Sequence, residues 1–393
     1  MTDNLMPTYA RLPVSFSHGK GAWLWDKEGK QYLDAITGIG VCSLGHAHKA
    51  VANAICEQSR NLLHTSNLYG IEHQEKLAEQ LCSLSGMKNV FFSNSGAEAN
   101  EAAIKIARLY GHQQGKKTPT IIVADNSFHG RTLATLSATG NRKVQAGFEP
   151  LVQGFLRVPF NDIESIKTAA KTNSDIVAIL VEPIQGEGGI NIPDESYLKQ
   201  LRQLCDEHQW LLMLDEIQTG MCKTGKWFAY QHSDIVPDVL TLAKALGNGI
   251  PIGACLAHGK ASAVLKPGNH GSTFGGNPFA CRIASEVVHV MSQENLAAKA
   301  KQAGDKIHRK LSESLSELSI VKEIRHKGLM IGIELSKPCG ELVGKALEQG
   351  LLINVTRDQT IRLLPPVIIS DDEIDQLVAI LKTIITDFSS STN

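Results

Sequence analysis

The sequence predicts an α/β protein: a large domain with a mostly parallel sheet flanked by helices, and a small α+β domain formed by both termini. Three observations predict it. Short apolar runs at Val90–Ser93, Ile121–Asp125, Ile176–Val181, Leu211–Asp215 and Val239–Leu242 recur through the middle of the chain, each far enough from the next for a crossover helix. That rhythm belongs to parallel strands covered on both faces. The ends read differently. Ala22–Asp26 and Gln31–Ala35 form a hairpin pattern around Glu28-Gly29-Lys30, while Val321–His326, Leu329–Leu335, Leu351–Val355 and Ile361–Leu364 suggest a smaller mixed sheet with helices near Glu341–Glu348 and Asp371–Thr386. Finally, 393 residues exceed what one simple core accommodates. The expected division is residues 1–60 as the N-terminal part of the small domain, 61–280 as the large domain and 281–393 as the C-terminal part of the small domain.

Composition narrows the function classes. Apolar residues make up 42 %, aromatics 5 %, and the formal net charge is −1, a balance that fits neither a disordered polyampholyte nor a nucleic-acid binder. No apolar run approaches the length of a membrane span, and Met1 to Ala10 lack the basic start and apolar centre of a secretory signal. The eight cysteines show no CxxC pair and no zinc-like spacing. They read as reduced packing residues of a cytoplasmic protein.

In open parallel sheets, ligands sit beyond the carboxyl ends of the strands. Three groups fall there. Ser95-Gly96-Ala97-Glu98 follows a strand and opens a helix running to about Tyr110; Ser95 and Glu98 have capping-box spacing, and the free N–H groups of such a turn suit a phosphate. Read alone, the turn is an ordinary helix cap. Asp215 closes an apolar run, where a carboxylate could hold the proton on a pyridine nitrogen or simply cap a helix. With Glu216 it raises the thought of a metal, but no histidine stands at ligand spacing, so no metal is expected. Lys244 follows a buried strand with apolar neighbours on both sides; desolvation would free its amine to attack a carbonyl, though a snorkelling lysine is the plain alternative. Together, a phosphate cradle, an acid and a lysine at the strand ends of one sheet are the equipment for holding pyridoxal 5′-phosphate.

The motifs Gly19-Lys20-Gly21-Ala22-Trp23-Leu24-Trp25-Asp26, Leu44-Gly45-His46, Ser95 to Glu101, Phe128-His129-Gly130-Arg131, Glu182 to Gly189, Asp215 to Gly220, Lys244 and Gly271 to Pro278 run in an order that resembles the class III pyridoxal-phosphate-dependent aminotransferases of fold type I, the aspartate aminotransferase-like fold, over essentially the whole length. The match is nearest to their acetylornithine branch. The resemblance implies that Ser95, Gly96 and Ala97 hold the cofactor phosphate, that Thr273 reaches it from the neighbouring subunit of a homodimer with shared sites, and that Phe128 stacks on the ring. It further implies that Asp215 pairs with the ring nitrogen, Gln218 meets the phenolic oxygen and Lys244 bonds the cofactor and carries protons. For substrates it implies N2-acetyl-L-ornithine as donor, with its carboxylate on Arg131, and 2-oxoglutarate as acceptor, with Arg362 for the α-carboxylate of glutamate, Glu187 as a mask of Arg362, and Ser272 nearby. His46 and His48 read as turn residues. Succinylornithine, ornithine or 4-aminobutyrate as donor, or a silent relative of the fold, are the other readings. Two departures stand out: Lys49 where relatives often have proline, and Asn248 in place of a common glycine after Gly247.

Overall fold

The computed structural model describes residues 4–390. The strands are β1 (Phe16–Lys20), β2 (Trp23–Asp26), β3 (Gln31–Asp34), β4 (Asn89–Ser93), β5 (Thr120–Ala124), β6 (Phe155–Val158), β7 (Ile176–Val181), β8 (Leu211–Asp215), β9 (Val239–Leu242), β10 (Gly253–Ala257), β11 (Val321–Lys327), β12 (Met330–Leu335), β13 (Leu351–Leu352), β14 (Asn354–Thr356) and β15 (Thr360–Leu363). They build three sheets.

The central sheet has seven strands in the order β4-β10-β9-β8-β7-β5-β6. Only β10 runs against its neighbours, so β4, β5, β7, β8 and β9 all end on one edge. Side chains alternate between the faces as strand geometry requires. Ile122, Ile179, Leu212 and Leu214 feed one apolar cluster, and Ile121, Leu180 and Met213 feed another. The helix Gly96–Gln113 packs Ala102, Ala103 and Ile106 on the second face. The helices Tyr197–Glu207 and Pro278–Gln293 belong to the first. Each such Ile or Leu, fully covered, stabilises the fold by about 1.5–3 kcal/mol before ordering costs. This is the flanked, mostly parallel sheet that the apolar runs predict, and all five of those runs are strands.

Two strands of the central sheet escape the sequence reading. β6 (FLRV) is half-buried at the sheet edge, and β10 (GACLA) is a short run of small residues with no alternation to mark it.

The terminal regions form two sheets, and the C-terminal one is wholly antiparallel where a mixed sheet was expected. β1-β2-β3 make the expected hairpin plus one more strand, and β13 joins them in parallel to β3. The other sheet is β11-β12-β15-β14. The expected strand Leu351–Val355 is therefore divided: Leu351 and Leu352 pair with Leu33 and Asp34, while Asn354 and Val355 pair with Arg362 and Ile361. One apolar run crosses from one sheet to the other at Ile353, which is buried. Since N-terminal and C-terminal strands share a sheet, we propose that residues 1–60 and 281–393 form the small domain and 61–280 the large one.

Candidate active site

A cavity of about 450 Å³ opens beyond the carboxyl ends of the central strands. Lys244 enters it directly after β9. Its backbone has φ of 45°, a conformation that L side chains avoid, and it starts a single 3-10 turn, Lys244–Leu246. Such strain is held in place by well-packed surroundings, here the buried Leu242, Ala243, Ala245 and Leu246. Burial lowers the pKa of the Lys244 amine; the negative charge of Glu187 opposes that shift and the positive charge of Arg362 assists it. Among the described residues the amine has no hydrogen-bond partner. An unpaired amine in a cavity, once it has lost its proton, is a nucleophile and a proton carrier.

Asp215 ends β8 and is 4 % exposed. Its Oδ2 accepts from Asn100 Nδ2 and His129 Nδ1, each at 2.8 Å. Oδ1 accepts only the backbone N–H of Ile217 at 3.1 Å, which leaves lone-pair capacity toward the cavity that Asp215 lines. Asn100 is itself fixed, because its Oδ1 accepts from Thr241 at 2.8 Å and its Nδ2 also donates to the His129 carbonyl. The carboxylate is thus aimed by one residue of the cradle helix and one of the loop after β5, the arrangement needed to hold a cation of fixed position.

The helix Gly96–Gln113 begins at the cavity. Ser95 Oγ accepts from the Glu98 N–H at 3.2 Å, as the capping pattern predicts, but the reciprocal arm differs. Glu98 Oε2 takes the N–H of Asn94 at 2.7 Å rather than that of Ser95. The N–H groups of Gly96 and Ala97 remain for a ligand at the positive end of an 18-residue helix. A Cβ on Gly96 would stand 2.7 Å from the Ile217 side chain, so the cradle and the residue after Asp215's turn are fitted to each other.

Arg362, on β15, is fully buried. Its Nη1 donates to Glu187 Oε1 at 2.6 Å and to Gln218 Oε1 at 3.4 Å, and its Nε to Asn354 Oδ1 at 3.0 Å. Nη2 has no partner among the described residues. Burial pushes the Glu187 carboxyl upward, but the charge and hydrogen bond of Arg362, joined by the Lys244 charge and a hydrogen bond to Gln218, together outweigh it and the group lies below the usual carboxylate range. A Cβ on Gly186 would collide with Gln218 Oε1 at 2.1 Å, so glycine is what lets Gln218 lie against this loop.

Phe128 and Arg131 lie on the loop after β5. The Arg131 guanidinium sits 5.7 Å from the Phe128 ring centroid and is exposed at the cavity mouth. Lys244, Asp215, Ser95, Gly96, Ala97, Phe128, Gln218, Arg131 and Glu187 therefore line one cavity, with Arg362 directly behind Glu187. Ser272 and Thr273 do not line it. Ser272 Oγ accepts from Gly275 N–H at 2.9 Å and Asn94 Nδ2 at 3.2 Å on the outer side of the helix cap, and Thr273 is exposed.

Three neighbours were not singled out from sequence. Asn100 and His129 orient Asp215. Glu182 is buried and pushed up to about 7 by that burial; it accepts the N–H of Phe128 at 3.0 Å and of Gly186 at 3.2 Å, joining the two loops that carry Arg131 and Glu187. Nothing local marks such roles: only the chain's folding brings them together. His46 serves structure, as expected, with Nε2 on Asp34 Oδ2 at 2.8 Å; this hydrogen bond is the main reason its pKa rises to about 9. Asn248, the departure from glycine, keeps a positive φ of 46° and adds bonds to Leu44 N–H and the Gly45 carbonyl. Lys49 is the first residue of the helix Lys49–Asn61, where proline fits equally well. Among the described residues no cluster could hold a metal ion.

The chain matches the family model described as Aminotransferase class-III over residues 6–385. It is 56 % identical to a protein of Nitrosomonas europaea named acetylornithine aminotransferase, over 99 % of each chain. Among solved structures, an ornithine aminotransferase of Toxoplasma gondii described with pyridoxal phosphate partly occupying its active site superposes with a TM-score of 0.95 at 35 % identity, covering 99 % of this chain and 93 % of that one. An acetylornithine aminotransferase of Elizabethkingia anophelis superposes with a TM-score of 0.87 at 34 % identity, covering 97 % and 96 %.

The charges around Lys244 make a prediction. In ligand-free protein, Glu187→Gln removes the charge that holds a proton on the amine, so the pH midpoint for acylation of Lys244 by acetic anhydride, read by peptide mass spectrometry, moves to lower pH. An unchanged midpoint, or one that moves up, contradicts this electrostatic account.

Proposed function

The chain belongs to the class III aminotransferases, and from that premise we propose that it transfers the terminal amino group of N2-acetyl-L-ornithine to 2-oxoglutarate, giving N-acetyl-L-glutamate 5-semialdehyde and L-glutamate. The observation that carries the proposal is the pair of arginines in one cleft, Arg131 open at the mouth and Arg362 buried under Glu187. Two carboxylate-bearing substrates with different reacting ends need two such anchors. The relative from Nitrosomonas europaea bears the name of the same activity.

Pyridoxal 5′-phosphate is the family's cofactor, and the donor set fits it. It supplies, when bound, an aldehyde and a pyridine ring that draws electrons from the substrate carbon. The N–H groups of Gly96 and Ala97, with Ser95 beside them, would hold its phosphate; Asp215 Oδ1 would hold the proton on its nitrogen; Phe128 would cover a ring face and Gln218 would meet the phenolic oxygen. Lys244 Nζ, whose pKa burial lowers, takes the proton from the carbon that bears the reacting amine and later returns one. Arg131 binds the donor's carboxylate and turns its terminal amine inward. During that half-reaction Glu187 covers Arg362 and keeps an α-carboxylate from docking there. When 2-oxoglutarate arrives, its carboxylate takes Arg362 and Glu187 must swing aside. Arg362 is never left bare, because an unpaired buried cation costs several kcal/mol.

Thr273 fits this scheme only from a second copy. Leu62, Leu63, Leu68, Tyr69 and Phe274 are exposed around it, Leu68 by 86 %, and Asn67 ties their loop to the Ser272 and Gly275 carbonyls. A patch of this kind favours a homodimer whose partner lends Ser272 and Thr273 to the cleft. Small molecules are then its other partners. No described helix is long and apolar enough to cross a membrane, and all eight cysteines are free, which suits a cytoplasmic enzyme.

Two expectations test these readings. In a donor panel with 2-oxoglutarate, acetylornithine gives the highest kcat/KM; Lys244→Ala loses roughly 10³-fold or more in turnover, and Arg131→Ala raises donor KM roughly 10- to 100-fold. Free ornithine or 4-aminobutyrate turning over far faster overturns the substrate. Sedimentation of the wild type gives a dimer and of Leu68→Asp a monomer without activity; a fully active wild-type monomer overturns the shared site.

A further inference from the structure

Besides the Glu182 bond to Gly186, three attachments hold the backbone of the loop that carries Glu187. Its base is closed by paired backbone bonds between Gln185 and Asn191, each 3.1 Å, and Gln185 Nε2 holds it to the Asp125 carbonyl at 2.7 Å. The third attachment comes from the other side of the cleft. Arg325, on β11, donates from Nη2 to the Gly189 carbonyl at 2.7 Å and from Nε to the Ile190 carbonyl at 2.9 Å. Its remaining Nη1 is held by Glu334 and Glu323, each at 2.6 Å, so the guanidinium is braced as well as bound.

Cross-strand register turns this contact into a device. Arg325 lies opposite Gly332, Gly332 opposite Arg362, and Arg362 opposite Asn354, one row across β11-β12-β15-β14. Directly opposed residues share a face. The two arginines of the row reach the same loop, Arg362 to the Glu187 carboxylate and Arg325 to the carbonyls two and three residues on. Gly332 between them leaves room for the loop: a Cβ there would stand 3.0 Å from the Ile190 Cβ and 3.3 Å from the Gly189 carbonyl oxygen.

We infer that Arg325 is a positioning residue of the carboxylate switch, which with Gly332 fixes the backbone of the Glu187 loop against the same sheet row that presents Arg362. This rests on the reading of Glu187 as the mask. Holding the backbone keeps the local concentration of the Glu187 carboxylate at Arg362 high, as a short tether does for any intramolecular ligand. The side chain can still swing away when a substrate carboxylate displaces it. Loosening the loop lowers that concentration and favours incoming dicarboxylates over the terminal-amine donor.

The test measures the two half-reactions separately on the holoenzyme, together with the dissociation constant of glutarate, a dicarboxylate that cannot react. With Arg325→Gln, kcat/KM for acetylornithine falls roughly 10-fold, the scale of losing charge-assisted hydrogen bonds, while glutarate binds roughly 3-fold more tightly. Arg325→Lys lies between, since one ammonium cannot reproduce the fork on two carbonyls. Gly332→Ala, which presses on the loop and leaves all charges in place, shifts both quantities in the same directions and decides the matter if Arg325→Gln does not fold. Parallel losses in both half-reactions with unaltered glutarate affinity would mean a merely structural role and overturn the inference. Glu187→Gln separates the two levels: if it shifts the ratio and the Arg325 and Gly332 variants do not, only this inference falls; if it shifts nothing, the mask reading falls and takes the inference with it.

Discussion

A guanidinium with no exposed surface must have a counter-charge, and the site is arranged around how Arg362 obtains one. Its partner Glu187 arrives on a glycine-rich loop from the central sheet, whereas Arg362 belongs to the terminal sheet β11-β12-β15-β14. The ion pair therefore spans two structural units, and its length depends on how rigidly each is held. Glu182 secures the near end of the loop through Gly186, Gln218 packs into the space that Gly186 leaves, and Asn354 holds the far side of Arg362. Removing any one partner of such a pair strands a buried charge, which is more costly than the pair is stabilising.

The same economy governs the remainder of the cleft. One sheet edge delivers Lys244, Asp215 and the helix cradle because β4, β8 and β9 point the same way. Close fits then relate them: Ile217 fills the space beside Gly96, and Asn100 reaches from the cradle helix to Asp215 and Thr241. Lys244 gains a reactive amine from this packing, since burial lowers its pKa while Glu187 and Arg362 pull in opposite directions. The Arg362–Glu187 charge pair thus also acts on the Lys244 amine.

What the sequence discloses follows from the range of each interaction. Lys244, Asp215 and Ser95-Gly96-Ala97 were legible because strand ends and helix caps are local signals. Four of the predicted central strands, β5, β7, β8 and β9, were legible because they are buried along their whole length, and the edge strand β4 because Val90, Phe91 and Phe92 make an apolar run; β10 was hidden by its small residues and β6 by its half-buried, mixed sequence. Leu351–Val355 reads as one apolar run, and nothing within it shows that its halves pair with different sheets. Arg362 and Glu187 were reached only through family resemblance. The contact between Asp215 and His129 joins residues 86 apart, that with Asn100 residues 115 apart, and no periodicity encodes either. Nothing in the sequence VKEIRHK marks Arg325; the row that sets it beside Arg362 exists only in the register of three strands.

The most direct measurement of the central claim is a crystal structure of the holoenzyme with glutarate. The account predicts one glutarate carboxylate on the Arg362 guanidinium and the Glu187 side chain turned away, with the backbone of residues 186–190 unmoved. Glutarate bound elsewhere in the cleft, with the Arg362–Glu187 pair intact, would contradict it.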